Sequence, residues 1–273
     1  MYLIADSGST KCEWIFVDNT RIERVRTAGI NAMLHTREQM QAILRMLPSS
    51  TQPEAVYFYG AGCGVQFPQA TEALIEVLTA FFGTTHIEVE SDLIAAARAL
   101  CAHEAGIVCI LGTGSNSCLY DGARIVKHVP PLGYILGDEG SGAALGRRLL
   151  GNVFKGLCPL REQLLAEYDL TYEQVIRRVY HEQPANRFLA SFVPFILRNI
   201  EAEGMRALVE EAFEEFVERN LKQYPASCHV SFVGGVAAHF RRELSAVLVR
   251  RGFRVGVIEE APAEGLINYH HGK

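Results

Sequence analysis

The sequence predicts an α/β protein made of two similar halves, each with a mixed sheet flanked by helices. One observation is a repeated unit, in which an apolar strand runs into a Gly/Ser turn and then a second strand. The unit occurs at Asp6–Cys12 and again at Gly112–Cys118. Internal repetition of this kind indicates two related structural halves. The other observation is that strand-like and helix-like patterns alternate along the chain, which is typical of a sheet covered by helices.

The first half begins with a predicted three-stranded meander, after which strands alternate with helices. Short apolar runs bounded by turn residues predict five strands, at Tyr2–Ala5, Glu13–Val17, Arg21–Arg26, Ala55–Tyr59 and His86–Glu90. Apolar periodicity predicts helices over 36–47 and 69–82, and an Ala-rich helix that opens at Ser91-Asp92.

The second half repeats the meander over 106–128 and then becomes largely helical. A long loop over 130–140 precedes a helix near 141–155, and the pattern stays helical through 160–224. The remaining elements are two strands and a last helix: Val230–Val233, Arg254–Ile258 and a helix from Pro262 onward.

The domain border is expected in the Ala-rich helix, because no low-complexity linker interrupts the chain. This gives an N-terminal domain of residues 1–93 and a C-terminal domain of residues 94–260. The helix over 261–273 is expected to pack back on the first domain. The His270-His271 pair is interpreted as a frayed terminus rather than a metal site.

Composition excludes several classes of protein. The 273 residues carry a net charge of −5 and no basic cluster, so neither nucleic acid nor an anionic membrane is an expected partner. The seven cysteines show no C-x-x-C spacing, which indicates reduced cysteines rather than a disulfide or zinc framework. No apolar run approaches the ~20 residues of a membrane span, and no signal-peptide pattern precedes the first strand. We therefore expect a soluble, cytoplasmic protein.

The two glycine turns are candidate phosphate-binding sites. Glycine lets backbone N–H groups approach a ligand closely, and Ser/Thr hydroxyls add donors. Asp6, at the end of the first strand, is placed to hold a hydrated Mg²⁺ beside the phosphates, and Lys11 is placed to reach a phosphate. Each turn alone is equally compatible with an ordinary polar hairpin. The pair in the same strand context favours phosphate binding.

Asp92 and Gly234-Gly235 each have a structural and a functional interpretation. Asp92 opens a helix, where an Asp commonly serves as N-cap, but it could also orient a substrate hydroxyl as a general base. From position alone the cap is favoured. Gly234-Gly235 lies between a strand and a helix, where close packing and close approach to a nucleotide are equally compatible. The glycines of 140–146 are no dinucleotide fingerprint, because no strand precedes them.

Four motifs follow one another in an informative order: Asp-x-Gly-x-Thr-Lys (6–11), Gly-Thr-Gly-Ser-Asn (112–116), Gly-Asp-Glu-Gly-Ser (137–141) and Gly-Gly-Val (234–236). This order resembles the N-acetylglucosamine kinase branch of the BadF/BadG/BcrA/BcrD-type ATPases, within the actin/sugar-kinase/Hsp70 ATPase superfamily. The resemblance covers nearly the whole chain. It implies two ribonuclease-H-like (actin-like ATPase) domains with mixed sheets flanked by helices, and with the nucleotide in the cleft.

The resemblance also implies a role for each matching residue. Asp92 matches the catalytic base, which overturns the cap interpretation, and Asp6 matches the Mg²⁺ ligand. The residues that match ATP-binding positions are Gly8, Ser9, Thr10, Lys11, Thr113, Gly114, Gly234 and Gly235. The residues that match sugar-binding positions are Asn31, Asp92, Asn116, Gly133 and Asp138.

The resulting hypothesis is ATP-dependent phosphorylation of an amino sugar, with N-acetylglucosamine and its 6-hydroxyl favoured. Pro130-Pro131-Leu132 replaces a Gly-rich, Trp-containing segment of the family, which leaves N-acetylmuramic acid, glucosamine and glucose open. The first alternative is an ATPase activator of a CoA dehydratase or reductase, which needs cysteines around an Fe–S cluster. The second is a non-catalytic sugar sensor. A homodimer is left open.

Overall fold

The structure is a computed structural model that describes residues 1–8, 11–18, 21–48, 52–182 and 184–271. Two compact units divide the chain. The first consists of Met1–Ala102 together with Pro262–Lys273, and the second of His103–Ala261. Each unit has its own five-stranded mixed sheet and its own buried cores.

The sheet of the first unit is mixed, with an antiparallel part and a parallel part. Its strand order is β3-β2-β1-β4-β5, with β1, β2 and β3 antiparallel and β1, β4 and β5 parallel. The strands are β1 (Tyr2–Ser7), β2 (Lys11–Asp18), β3 (Arg21–Ala28), β4 (Ala55–Gly60) and β5 (Ile87–Ser91). The helices are α1 (Arg37–Leu44), α2 (Pro68–Phe82), α3 (Asp92–Cys101) and α13 (Ala263–His271).

Side chains alternate between the two faces of a strand, and both faces are buried at the central strands β1 and β2, whereas the edge strand β3 is largely exposed. One face of β2 contributes Trp14, which is fully buried near Phe58 and Phe82 and donates its indole N–H to Thr27 Oγ1 at 2.8 Å. The opposite face contributes Ile15, which packs in a separate cluster with Leu266 of α13. The sheet is therefore a central layer between helices.

The C-terminal helix α13 is fastened to the first unit rather than frayed, so the expectation for His270 is wrong. His270 is buried, its ring stacks on Tyr57 at a centroid distance of 3.7 Å, and its Nε2 lies 2.8 Å from the Tyr59 hydroxyl. A Cβ on Gly265 would lie 2.3 Å from the Ala99 carbonyl oxygen, so α13 and α3 pack backbone to backbone. Ring stacking and burial, which a terminal position does not reveal, hold this helix.

The second unit repeats the same arrangement of strands. Its sheet order is β10-β9-β6-β7-β8, with β6, β7 and β8 antiparallel and β6, β9 and β10 parallel. The strands are β6 (Gly106–Leu111), β7 (Ser115–Tyr120), β8 (Ile125–Val129), β9 (His229–Val233) and β10 (Arg254–Glu259).

Helices of the second unit pack on a single large core that includes Phe213 and Phe216. The helices are α4 (Gly133–Leu136), α5 (Gly142–Phe154), α6 (Arg161–Glu167), α7 (Tyr172–Tyr180), α8 (Ala185–Ala190), α9 (Val193–Arg198), α10 (Met205–Arg219), α11 (Gly235–His239) and α12 (Arg241–Arg250). The apolar face of α10 is buried as its periodicity predicts. Within the described residues, no helix is both long and apolar enough to cross a lipid bilayer.

The predicted strands and long helices are confirmed, with two differences in the middle of the chain. The expected loop over 130–140 contains the one-turn helix α4. The Ala-rich helix α3 belongs to the first unit, so the compact units divide between Ala102 and His103 rather than between residues 93 and 94. The reason is that α3 and α13 pack on the same face of the first sheet.

Two glycines of α5 give a matched test of this packing. A Cβ on Gly146 would lie 1.8 Å from the Leu189 carbonyl oxygen of α8, whereas a Cβ on Gly151 would meet no atom within 4 Å. We expect Gly146→Ala to destabilise the protein by about 1–3 kcal/mol through overpacking. Gly151→Ala is expected to stabilise it by up to about 1 kcal/mol, because alanine favours the helix. Urea denaturation measures both, and equal effects of the two substitutions would contradict the packing.

Candidate active site

In the first unit, two predicted acidic residues lie at the same edge of the sheet. Strands β1, β4 and β5 run parallel, so their carboxyl ends share an edge. Asp6 is the penultimate residue of β1, and Asp92 directly follows β5. The register aligns Ser7 with Gly60 and Gly60 with Ser91, which brings both acids to this edge.

The N-cap of α3 is Ser91 and not Asp92. The Ser91 hydroxyl accepts a hydrogen bond from the Ile94 N–H at 3.3 Å, and Ser91 has the extended backbone of a cap. Asp92 is the first helical residue. Its carboxylate is therefore not needed as the cap.

Burial raises the pKa of both carboxyl groups. For Asp6, burial and then repulsion from Asp92 and Glu13 raise the pKa to about 6, while Lys11 lowers it. For Asp92, burial raises the pKa, and hydrogen bonds from the backbone N–H groups of Leu93 and of Asp92 itself partly offset this. Two interacting acids with raised pKa values are typical of functional sites, although structural networks also produce them.

These acids fit a magnesium ion that completes its coordination with other ligands. Positive charge beside Asp6 and Asp92 would relieve the repulsion that raises the pKa of Asp6. No cluster of three or more His, Cys, Asp or Glu side chains suited to a metal occurs among the described residues. Mg²⁺ commonly uses one or two carboxylates, waters and substrate phosphates instead of an all-protein cage.

The first glycine turn is joined to the loop that carries Asn31. The buried Ser7 hydroxyl donates to the Ile30 carbonyl oxygen at 2.9 Å and accepts from the Ile30 N–H at 2.8 Å. A Cβ on Gly29 would lie 2.1 Å from the Gly8 carbonyl oxygen, so only glycine permits this approach. Ser7 and Gly8 are therefore packed against Gly29 and Ile30, which directly precede Asn31.

Asn31 itself is half-buried and shaped by local hydrogen bonds. Its Oδ1 accepts the Met33 N–H at 3.0 Å, and its own N–H donates to His35 Nδ1 at 3.3 Å. With Oδ1 used in this way, the amide group Nδ2 is the part of the side chain that can donate to a ligand hydroxyl.

In the second unit, the second glycine turn is bonded to the start of α5. The Gly142 N–H donates to the Gly112 carbonyl oxygen at 2.8 Å, and the Ala143 N–H donates to the Thr113 carbonyl oxygen at 3.0 Å. Ser141 caps the helix by accepting the Ala144 N–H at 3.2 Å. The motifs at 112–116 and 137–141 are consequently parts of one structure.

Gly234 packs against the same turn. Its φ of +124° is a conformation that L side chains rarely adopt, and a Cβ there would lie 2.3 Å from the Leu111 carbonyl oxygen. The Gly234 N–H donates to the Glu259 carbonyl oxygen at 3.0 Å. Packing therefore requires glycine at position 234, while Gly235 begins α11 with only the His239 ring near its Cβ position.

Asp138 forms a hydrogen bond with the strand residue after the second glycine turn and packs against the turn itself. Its Oδ1 accepts the Ser115 N–H at 3.1 Å, and its carboxyl lies against Gly114. Burial raises the pKa of Asp138, which the hydrogen bond from Ser115 partly offsets. Gly133 lies in the same loop, at the start of α4, and has a φ of +72°. Asp138 therefore has a structural partner in addition to its predicted role toward a sugar.

Asn116 lies on β7, where it pairs with a histidine that sequence patterns do not identify. Its Oδ1 is 2.8 Å from His128 Nε2 of β8 and accepts the Ser117 N–H at 2.9 Å. Burial lowers the pKa of His128, which keeps the ring neutral and suits a tautomer that donates from Nε2. As in Asn31, Nδ2 is the group of Asn116 that remains to meet a ligand.

The donors of the two turns fit phosphate oxygens. Among the described residues, neither the Thr113 N–H nor the Gly114 N–H has a protein acceptor, and Thr113 is exposed. Gly8 and Lys11 are exposed as well, and the Gly8 N–H closes the first turn on the Lys11 carbonyl oxygen at 3.0 Å. The predicted ATP-binding residues Ser9 and Thr10 lie outside the described residues.

Sequence patterns do not identify three residues that support the candidate site: Ser7, Ser91 and His128. Ser7 occupies an unspecified position of the first motif, yet its hydroxyl bonds both backbone groups of Ile30, next to Asn31. Ser91 precedes an acid that could equally be the cap. His128 could be found only from the register of the β7–β8 hairpin, because no local pattern marks it.

Two mixed five-stranded sheets of matching topology, each with a glycine turn at the end of its first strand, define the actin-like ATPase class of fold. Within this class the chain belongs to the BadF/BadG/BcrA/BcrD ATPase family, whose model matches residues 5–266. No curated protein shows a significant match to the sequence.

Solved structures agree with this assignment. A provisionally named N-acetylglucosamine kinase from Porphyromonas gingivalis is 43% identical, with a TM-score of 0.95 over 100% of this chain and 99% of that one. A provisionally named N-acetylglucosamine kinase from Chromobacterium violaceum is 20% identical, with a TM-score of 0.74 over 98% of each chain. A ROK family glucokinase from Streptomyces griseus, solved with glucose and AMPPNP, shares the fold at 16% identity, with a TM-score of 0.59 over 98% of each chain.

Ser91→Ala and Asp92→Ala separate the capping residue from its neighbour. We expect Ser91→Ala to lower the free energy of unfolding by about 1 kcal/mol, because the cap of α3 is lost. Asp92→Ala should cost less, since it removes a buried charge and places a good helix former at the first position. Urea denaturation at neutral pH measures both. The reverse order of effects would make Asp92 the cap.

Asp6→Asn should stabilise the protein in a pH-dependent manner. The pKa of Asp6 is about 6 in the folded protein and 3.8 ordinarily. Below the ordinary value Asp6 is protonated in both the folded and the unfolded state and carries no penalty. As pH rises through 6, its ionisation lowers the free energy of unfolding. The neutral amide escapes this loss, so we expect a gain of roughly 1–3 kcal/mol at alkaline pH that disappears in acid. Denaturation at acidic and alkaline pH tests this. A loss of stability that is equal at both pH values would refute it.

Proposed function

We propose that this protein is an ATP-dependent sugar kinase that phosphorylates an amino sugar, with N-acetylglucosamine as the preferred acceptor and its 6-hydroxyl as the attacking group. The observation that carries the proposal is the environment of Asp92. Its carboxylate is not the cap of α3, because Ser91 caps that helix, and burial raises its pKa. It also lies at the same sheet edge as Asp6. The names of the similar P. gingivalis and C. violaceum proteins support this choice of sugar.

Asp92 would act on the acceptor hydroxyl. In phosphoryl transfer an aspartate orients the attacking hydroxyl and accepts its proton. A raised pKa makes Asp92 a better proton acceptor near neutral pH, as long as it remains ionised. The N-terminus of α3 favours the ionised form, because helix N-termini stabilise negative charge.

The other proposed site residues form two groups, one that would bind the nucleotide and its phosphates and one that would bind the sugar. Lys11, Gly8 and the N–H groups of Thr113 and Gly114 would meet the phosphates of ATP, with Ser9 and Thr10 completing the first turn. Gly234 and Gly235 would form the edge toward adenosine. Asp6 would hold Mg²⁺, which when bound would supply positive charge to stabilise the transferring phosphoryl group.

The sugar-binding set is proposed from side chains that keep a free donor or a rigid backbone. Asn31 and Asn116 each engage Oδ1 within the protein and would present Nδ2 to sugar hydroxyls. Asp138 and Gly133 would contribute from the loop that precedes α5. Because a site built to hydrogen-bond hydroxyl groups rejects analogues that lack them, these residues would give selectivity.

The test is an ADP-release assay across N-acetylglucosamine, N-acetylmuramic acid, glucosamine and glucose. We expect N-acetylglucosamine to give the highest kcat/KM and 6-deoxy-N-acetylglucosamine to give no product. Asp92→Asn should lower kcat by about 10²–10⁴-fold, since it removes the proton acceptor. Ser91→Ala is the matched control at the neighbouring residue and should retain sugar-dependent turnover.

Other results would point to the alternatives. ADP release that is independent of sugar and unchanged by Asp92→Asn would contradict the kinase. If iron and acid-labile sulfide were found in anaerobically purified protein, the redox activator would be favoured. Sugar binding without turnover would favour a sensor.

A further inference from the structure

The second unit contains a cavity that the proposed kinase chemistry does not use. The cavity has a volume of about 590 Å³ and lies among α4, α5, α7 and α8. Its walls are mainly apolar, with Leu150 and Phe154 of α5, Val175 and Val179 of α7 and Leu189 of α8. This volume is in the range of sites that hold small organic ligands.

Gly151 leaves room in the wall of this cavity. It lies inside α5, where glycine costs helix stability relative to alanine, and a Cβ there would meet no atom within 4 Å. Neither close packing nor a positive φ therefore requires glycine at this position. Its absent side chain enlarges the space between the helices.

Two cationic side chains line the same cavity and give it a charge preference. Arg147 and Lys155 are exposed, and in the described parts of the chain neither lies within ion-pair distance of a carboxylate, although Arg147 attracts the Asp138 carboxylate at longer range. Arg147 donates from Nη1 to the Tyr134 carbonyl oxygen at 2.8 Å, which leaves its other N–H groups for a ligand. The residues that line the cavity include no acid.

Large side chains at the opening are strongly exposed, since Ile135, Tyr172 and Tyr180 have exposed fractions of 69%, 65% and 72%. All three line the same cavity, and apolar side chains clustered around a cavity are typical of small-molecule sites. A symmetric contact with a second copy would bring the Arg147 and Lys155 pairs of both copies together, which costs repulsion. The charge therefore favours an anionic occupant over a second copy of this chain.

We propose that this cavity binds a small amphipathic organic anion, whose apolar body occupies the space beside Gly151 and whose carboxylate meets Arg147 and Lys155. Arg147 suits a planar carboxylate, because its guanidinium presents donors in a fork. Tyr134 and Ile135 lie on the one-turn helix that begins at Gly133, so the occupant contacts the loop that is assigned to sugar binding.

Binding of decanoate to the full chain, measured by isothermal titration calorimetry without sugar or nucleotide, tests the proposal. We expect one site per chain in the wild type and in Gly151→Ala, which adds only a methyl group. Gly151→Phe should abolish binding, because its ring occupies the cavity. The double substitution Arg147→Met, Lys155→Met should weaken binding at least tenfold, and decan-1-ol should bind the wild type at least tenfold more weakly than decanoate.

Three outcomes would overturn the proposal: no binding of decanoate to the wild type, equal binding by Gly151→Phe, or binding that ignores the charge of the ligand and of the two cations. Dimers that form with increasing concentration and are lost in Gly151→Phe would show instead that a second copy covers the cavity. The titration does not depend on catalysis. Failure of this site and failure of the kinase proposal are therefore separate results.

Discussion

The second unit depends on two backbone hydrogen bonds, from Gly142 to the Gly112 carbonyl oxygen and from Ala143 to the Thr113 carbonyl oxygen. They use the first free N–H groups of α5, which a helix N-terminus must satisfy in some way. Within the described residues, the N–H groups of Thr113 and Gly114 in this turn have no protein acceptor, whereas the Gly112 N–H donates to the Gly114 carbonyl oxygen. Gly234 then closes against Leu111, where no other residue fits. One packing arrangement thus explains why three motifs distant in the sequence occur together.

The first unit joins its corresponding segments by a different interaction. There a side chain, the Ser7 hydroxyl, bonds both the N–H and the carbonyl oxygen of Ile30, and Gly29 permits backbone contact with Gly8. The two glycine turns look like copies in the sequence, but they differ in what they offer. The first is accompanied by acids, Asp6 and Asp92, and the second by backbone donors. The carboxylates of the first suit a cation, and the N–H donors of the second suit anionic oxygens.

The architecture was predictable because hydrophobic periodicity sets strands and helices locally, and the repeated turn revealed the duplicated sheet. The features that the sequence did not predict depend on contacts between residues distant in the chain, or on a choice between two neighbouring residues. Ser91 and Asp92 are both good caps, and only the backbone conformation decides between them. From its position near the end of the sequence His270 was expected to be frayed, but in the structure its ring stacks on Tyr57. Likewise, the bond from Ser115 to Asp138 joins a strand to a loop that no local pattern connects.

The half-buried acids of the first unit, Asp6 and Asp92, are costly to the stability of the free protein. Burial penalises each charge, and the repulsion between Asp6 and Asp92 adds to it, while Lys11 offsets only part. A fold under selection for stability alone would replace one acid by a neutral residue. Retaining both is reasonable when a positively charged ligand is present during function. Mg²⁺ commonly binds through one or two carboxylates and completes its coordination with waters and phosphates, so a cation of this kind beside Asp6 would relieve the repulsion from Asp92.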